Sequence, residues 1–273
     1  MRTQTEKGLA FRALHARAGA FVIPNPWDIG TARLLAKLGF EALATTSAGY
    51  SFSAGRRDFA IGRTEMLAHV AQIVAATDLP VSADLENGFG DDPATVAETI
   101  RLAAATGLVG GSIEDATYRK DDPIYDLELA VARIRAAAAE ARKLPFAFTL
   151  TARAENYVVG RPDLADTIRR LQAYQDAGAD VLYAPGLTTR EDIAAVVGAL
   201  RCPVNVIMGL SGAQFNVRTL SEWGVKRIST GSALARAALS CFLRAAQEIR
   251  EHGTFTFAAE AVSYRDLNAM FEP

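Results

Sequence analysis

The chain has 273 residues, 50% of them hydrophobic, and a formal net charge of −2. A (β/α)8 barrel takes about 250 residues, so this length calls for no second domain. A near-neutral chain offers no basic footprint for nucleic acid, and without an apolar run of about 18 residues no membrane span is expected.

The N-terminal stretch lacks the apolar segment of a secretory signal, so a cytoplasmic protein is expected. It reads as an amphipathic helix over about residues 4–18, with Leu9, Phe11 and Leu14 on one side. Strand-like and helix-like stretches then alternate without a linker. Strand 20–24 precedes helix 29–38, and strand 41–45 precedes a Ser- and Gly-rich loop at 46–57 and helix 64–76. The later pairs are 80–83 with 93–105, 108–113 with 127–142, 146–151 with 163–177, 181–183 with 190–200, 204–207 with 213–222, and 226–229 with 232–250. The tail, about 255–271, reads as one further helix, and its Phe255, Phe257 and Phe271 point to a partner surface. Gly39, Gly107, Gly178 and Gly224 fall between a helix and the next strand, where helices stop. Eight such units predict one (β/α)8 barrel domain over 1–273 rather than an open sheet. No Gly-x-Gly-x-x-Gly follows the first strand. Cys202 and Cys241 lie in core-like runs and are expected to be buried, reduced thiols.

Three strand ends carry charge where apolar strands would simply stop. They are Asp84-Leu-Glu86-Asn-Gly88-Phe-Gly90, Glu114-Asp115 and Arg153-Ala-Glu155-Asn156. In a parallel barrel these ends share the face that builds active sites. Asp84, Glu86 and Glu114 then form a divalent-metal site beside the guanidinium of Arg153, which can hold a carboxylate bidentately. No histidine stands at a strand end, so Mg²⁺ is expected, with Mn²⁺ the second choice, rather than Zn²⁺. The loop Thr45-Thr-Ser-Ala-Gly-Tyr-Ser-Phe-Ser offers free amides for a carboxylate or a developing oxyanion.

The set Ser47-Ala48-Gly49, Arg57-Asp58, Asp84-x-Glu86-x-Gly88-Phe-Gly90, Ile113-Glu114-Asp115 and Ala152-Arg153-x-Glu155 resembles the isocitrate lyase / phosphoenolpyruvate mutase superfamily, in order over about residues 20–250. The resemblance implies a Mg²⁺-dependent barrel enzyme that cleaves a C–C or P–C bond beside a 2-oxo acid through an enolate. It also implies a homo-oligomer, dimer or tetramer, with a C-terminal helix swapped between subunits. Asp84 would hold the metal, with Glu86 and Glu114 around it through water and Asp58 nearby. Ser47, Ala48, Gly49, Arg153 and Glu155 would bind the small 2-oxo carboxylate.

The loop 115–126 departs from the family's lyase branch, having no Cys and no His. It departs from the phosphonate branch too: Lys120 matches a lysine, but Asp122 replaces an asparagine and would repel a phosphoryl group. The strand-seven end, Asn205-Val-Ile-Met208-Gly209, lacks the Asn-x-Thr-Glu stretch of the lyases. The common core points to a lyase or decarboxylase of an oxaloacetate-like acid, with Tyr50, Tyr118 or Lys120 as proton donor. A phosphonopyruvate-type or methylisocitrate/isocitrate-type enzyme and a non-catalytic 2-oxo-acid binder are the alternatives. A phosphate-binding barrel, using Gly209–Gly212 and Ser229–Ser232, is a further rival.

Overall fold

A computed structural model describes residues 1–210, 212 and 214–272. Its eight strands are β1 (Phe21–Ile23), β2 (Leu43–Ala44), β3 (Val81–Asp84), β4 (Gly110–Glu114), β5 (Thr149–Arg153), β6 (Val181–Tyr183), β7 (Val204–Ile207) and β8 (Arg227–Ser229). They pair in parallel in the order β1-β8-β7-β6-β5-β4-β3-β2. The amide of Ala44 donates to the carbonyl of Pro24 at 3.1 Å across the remaining seam. The result is a nearly closed (β/α)8 barrel.

Helix α1 (Gln4–Ala16) plugs the N-terminal end of the barrel. Its buried Phe11 and Leu14 pack with Phe21, Ile23 and Val109. Gly110 is dictated by this plug, because a Cβ there would stand 2.9 Å from the Phe11 ring and from the carbonyl oxygen of Thr149. The outer helices are α2 (Ile29–Lys37), α3 (Ser47–Ser53), α4 (Arg63–Ala76), α5 (Pro93–Ala105), α6 (Leu127–Ala141), α7 (Leu164–Asp176), α8 (Arg190–Ala199), α9 (Val217–Glu222) and α10 (Ala233–His252). Polar side chains start most of them. Asp92, Asp126, Asp163, Thr189 and Asn216 each accept a first-turn amide, and Pro93 occupies the first turn of α5. Those carboxylates serve helix caps and stay out of the site.

The chain departs from the sequence reading in five places. Leu9 is exposed while Phe11 and Leu14 are buried, so the three do not share one face of α1. The Ser- and Gly-rich loop holds α3, because the Thr46 side chain accepts from the Gly49 amide and starts a helix. Helix α9 begins at Val217 under an Asn216 cap, later than the expected 213; Ser211 and Ala213 lie outside the described residues. The tail is not one helix. A 3₁₀ turn (Thr256–Glu260) is separated from α11 (Tyr264–Phe271), whose cap is Ser263. Finally, Cys202 is half-buried and Cys241 exposed, because α10 buries little beyond Ala235. Leu239, Phe242, Leu243 and Ile249 are exposed along it. Lys37 donates to the carbonyl of Ala269 at 2.8 Å and ties α11 to α2.

Candidate active site

Register brings the three charged strand ends side by side. Asp84 pairs with Ser112, Glu114 with Arg153, and Arg153 with Tyr183. Residues two apart on a strand face the same way, so Asp84, Glu114 and Arg153 face the barrel axis one layer above Ser82, Ser112 and Thr151. Arg153 is the hub. Its Nη1 lies 3.2 Å from Asp84 and 2.9 Å from Glu114, and its Nε donates to Glu155 at 2.8 Å. Its guanidinium carbon lies 5.2 Å from the centre of the Tyr183 ring.

Ser47 clamps the other oxygen of Asp84, with its amide at 3.1 Å and its hydroxyl at 2.9 Å. The same hydroxyl reaches Asp58 at 3.4 Å. Burial, then the charge of Asp84, raises the pKa of Asp58. Burial also raises Glu114 and Glu155. Glu86 adopts φ 51°, so the strand has already ended and its side chain does not share the direction of Asp84. Its Oε1 is buried without a hydrogen-bond partner. Burial, reinforced by Asp84 and Asp58, pushes Glu86 up to about 8.

Ser47, Ala48, Asp58, Asp84, Glu114, Arg153 and Glu155 help line a cavity of about 290 Å³, whereas Glu86 stands behind its wall. Gly49 and Tyr50 are placed outside it. A Cβ on Gly49 would meet Thr46 at 2.5 Å and Trp27 at 3.1 Å, so this glycine answers to packing. The Tyr50 ring stacks on His69 at 3.7 Å, and its hydroxyl reaches Glu65 at 3.5 Å. Lys120 is exposed and does not line the cavity. Tyr118, from the same loop, turns inward at φ 61° and donates to Glu114 at 2.7 Å. Its ring stacks at 4.0 Å on Phe59, itself at φ 62°. Two strained non-glycine residues meeting over one site mark a built contact. A wider depression of about 440 Å³ beside α7 is lined by Arg161, Arg169, Arg170, Asp163 and Asp166, away from the rim cluster.

Sequence reasoning missed Asn25 and Arg227, which line the cavity, and Arg133 of α6, which braces the turn after β3. Arg133 is buried and donates to the carbonyls of Asn87, Gly90 and Asp91, with its guanidinium carbon 4.1 Å from the centre of the Tyr125 ring. It fixes the turn that carries Glu86. An arginine on an otherwise apolar helix face was its one sequence signal. Behind the site, Asp115 accepts from the amide of Glu155 at 2.8 Å and the hydroxyl of Tyr174 at 2.5 Å, and pairs with Arg170 at 3.2 Å.

Among the described residues, no three His, Cys, Asp or Glu side chains converge as a closed metal cage. The reason is visible: Arg153 lies between Asp84 and Glu114. The donor set nevertheless suits Mg²⁺, which takes one or two carboxylates and fills its octahedron with waters and substrate oxygens. Five carboxyl groups (Asp58, Asp84, Glu86, Glu114, Glu155) gather around Arg153, and Glu86 has an oxygen to spare.

The phosphoenolpyruvate phosphomutase model matches residues 11–250. The chain belongs to that family, and so to the isocitrate lyase / phosphoenolpyruvate mutase superfamily of lyases. A crystal structure of a candidate lyase/mutase from Burkholderia cenocepacia J2315 superposes with a TM-score of 0.97 at 65% identity, covering 99% of this chain and 97% of that one. An uncharacterized protein of Mycobacterium tuberculosis (strain CDC 1551 / Oshkosh) is 32% identical over 96% of this chain and 95% of its own. Oxaloacetate decarboxylase 1 of Pseudomonas putida (strain W619) is 30% identical over 84% of this chain and 80% of its own.

Proposed function

We propose that this family member is a Mg²⁺-dependent carbon–carbon lyase or decarboxylase acting on an oxaloacetate-like 2-oxo acid through an enolate. The observation that carries the reading is the excess of buried carboxyl groups around Arg153, with Glu86 left unpartnered. An acid cluster with one cation is short of positive charge, and a divalent ion would supply it. Asp84 is assigned as the metal's direct ligand, with Glu86 and Glu114 around it and Asp58 beside them; Mn²⁺ would serve the same set. Bound there, the ion would draw electron density from a 2-oxo group.

The chain's own residues do the rest. Arg153 Nη2, the guanidinium nitrogen that none of these acids engages, donates to the substrate carboxylate, and Glu114 and Glu155 hold the guanidinium in one orientation. Ser47 orients Asp84. Its amide is given to Asp84 and that of Gly49 to Thr46, which leaves the Ala48 amide for the substrate. Burial raises the pKa of Tyr118, so its hydroxyl stays protonated. It is the loop's hydroxyl beside Glu114, and we give it the proton-donor role in place of Lys120 and Tyr50. The exposed apolar face of α10 is assigned to a homo-oligomer contact, with the C-terminal arm exchanged between subunits of a single-domain barrel.

The test is product analysis by NMR after mixing protein and Mg²⁺ with oxaloacetate, methyl-substituted oxaloacetates, methylisocitrate or phosphonopyruvate. Pyruvate or 2-oxobutyrate from the first two is the expected outcome. Product from phosphonopyruvate alone would replace the reading with P–C chemistry. Binding without product from any would replace it with a 2-oxo-acid binder.

A further inference from the structure

Below the layer of Asp84, Glu114 and Arg153, the barrel axis is unusually open. Barrel interiors are ordinarily filled by bulky branched side chains. Here the axis-facing residues one layer down are Ser82 on β3, Ser112 on β4 and Thr151 on β5, and Ser82 and Ser112 line the cavity. The hydroxyl of Thr151 is buried without a partner. Opposite them stands Arg227, the first residue of β8, in register with Phe21 on one side and Asn205 on the other.

Arg227 is only 5% exposed, yet it lines the cavity. Its Nε donates to Asn205 at 2.8 Å, while its Nη1 is buried with no partner. Among the described residues no carboxylate pairs with it. The charged or titratable groups around it are Tyr183, Arg153 and His15, none of them an anion in its ordinary state. Burial pulls its pKa down to about 10. A buried, uncompensated guanidinium costs several kcal/mol unless an anion or water completes it. The neighbouring hydrogen bonds organise the site. Asn205 accepts from Arg227 through its oxygen and donates to Ser229 at 3.0 Å, which fixes the amide's orientation.

We propose that Arg227, facing the Ser82, Ser112 and Thr151 hydroxyls, forms an anion subsite beneath the metal layer for the second carboxylate of a dicarboxylic substrate. The proposal rests on the 2-oxo-acid reading above and names the feature that selects among such acids. A carboxylate suits the place better than a phosphoryl group, because Arg227 offers a single positive charge with the rim acids above it. Substrates would therefore lie along the barrel axis, one end under Arg153 and the other on Arg227.

The test uses malate and lactate with Mg²⁺. Both keep a chelating 2-hydroxy acid, neither has the 2-oxo electron sink, and they differ in the second carboxylate. By calorimetry, wild-type protein is expected to bind malate roughly 10–100-fold more tightly than lactate, the range for charged hydrogen bonds. Arg227→Met should erase that ratio by weakening malate while lactate affinity holds. Equal affinities in wild-type protein, or a malate preference that survives in Arg227→Met, overturn the subsite and leave the 2-oxo-acid reading standing. Failure of wild-type protein to bind malate, with or without Mg²⁺, overturns the subsite, and the 2-oxo-acid reading then stands or falls on the product analysis above. Should Arg227→Met not fold, the wild-type ratio decides, with Arg227→Lys expected to keep part of it.

Discussion

The two sides of the cavity treat charge in opposite ways. On the β3–β5 side carboxyl groups crowd one arginine, and the buried Oε1 of Glu86 has no hydrogen-bond partner. On the β7–β8 side one arginine stands with amide and hydroxyl neighbours and, among the described residues, no acid paired with it. The first arrangement lacks a cation and the second lacks an anion. Ion pairs that satisfy one another inside a barrel can be purely structural. Under the proposed function, a metal ion would answer the acidic side and the second carboxylate of the ligand the basic one.

Removing the acid nearest the deficit should break the acidic side most completely. Asp84→Ala is expected to lower Mg²⁺-dependent turnover by about 10²–10³-fold, the scale of losing one preorganised electrostatic group. Steady-state kinetics on oxaloacetate checks it, and near-wild-type activity would make the cluster structural. Next in size, Arg153→Lys keeps the charge and loses the planar fork, so substrate affinity should fall roughly 10–100-fold. Unchanged affinity would confine Arg153 to holding the acids apart.

Glu86 sharpens the comparison through pH. Its folded pKa of about 8 lies above the ordinary glutamate value of 4.5, so between these values the folded state holds a proton that the unfolded state has released. Stability of the metal-free protein should therefore fall as pH rises from 5 to 8.5. The loss in melting temperature should be on the order of 5 °C. Mg²⁺ should reverse it at the high end, and Glu86→Gln should flatten the slope. A flat wild-type profile in EDTA would mean that Glu86 ionises freely. The smallest effect belongs to Tyr118→Phe, which removes one hydroxyl from Glu114. A several-fold drop in kcat with little change in KM is expected for a proton donor that acts late. A change in KM alone would make Tyr118 a wall of the site.

The acids of β3 and β4 and the arginine of β5 were legible as neighbours because each interrupts a short apolar run at the same point of a repeating unit. Parallel register then places them side by side. Glu86 was legible as a residue but not in direction. The strand ends at Asp84 and the positive φ at 86 turns the side chain away, which spacing alone cannot reveal. Tyr50 and Lys120 belong to segments near the rim, yet stacking on His69 and exposure to solvent take them out of the cavity. Arg227 was illegible for another reason. It follows Gly224-Val-Lys226, where a basic residue reads as solvent-facing, and only closure of β8 against β1 puts it on the axis. The tail was legible as apolar and not as broken, since Ser263 restarts a helix that composition makes continuous.

The most direct measurement is the rate of oxaloacetate cleavage, followed by NMR with Mg²⁺ and again with EDTA, for wild-type protein and for Asp84→Ala. The variant supplies the baseline for loss caused by free Mg²⁺ alone. Pyruvate and bicarbonate formed well above that baseline by wild-type protein, and suppressed by EDTA, is the predicted result. Equal rates for wild type, variant and buffer would contradict an active centre for oxaloacetate-like acids at this rim.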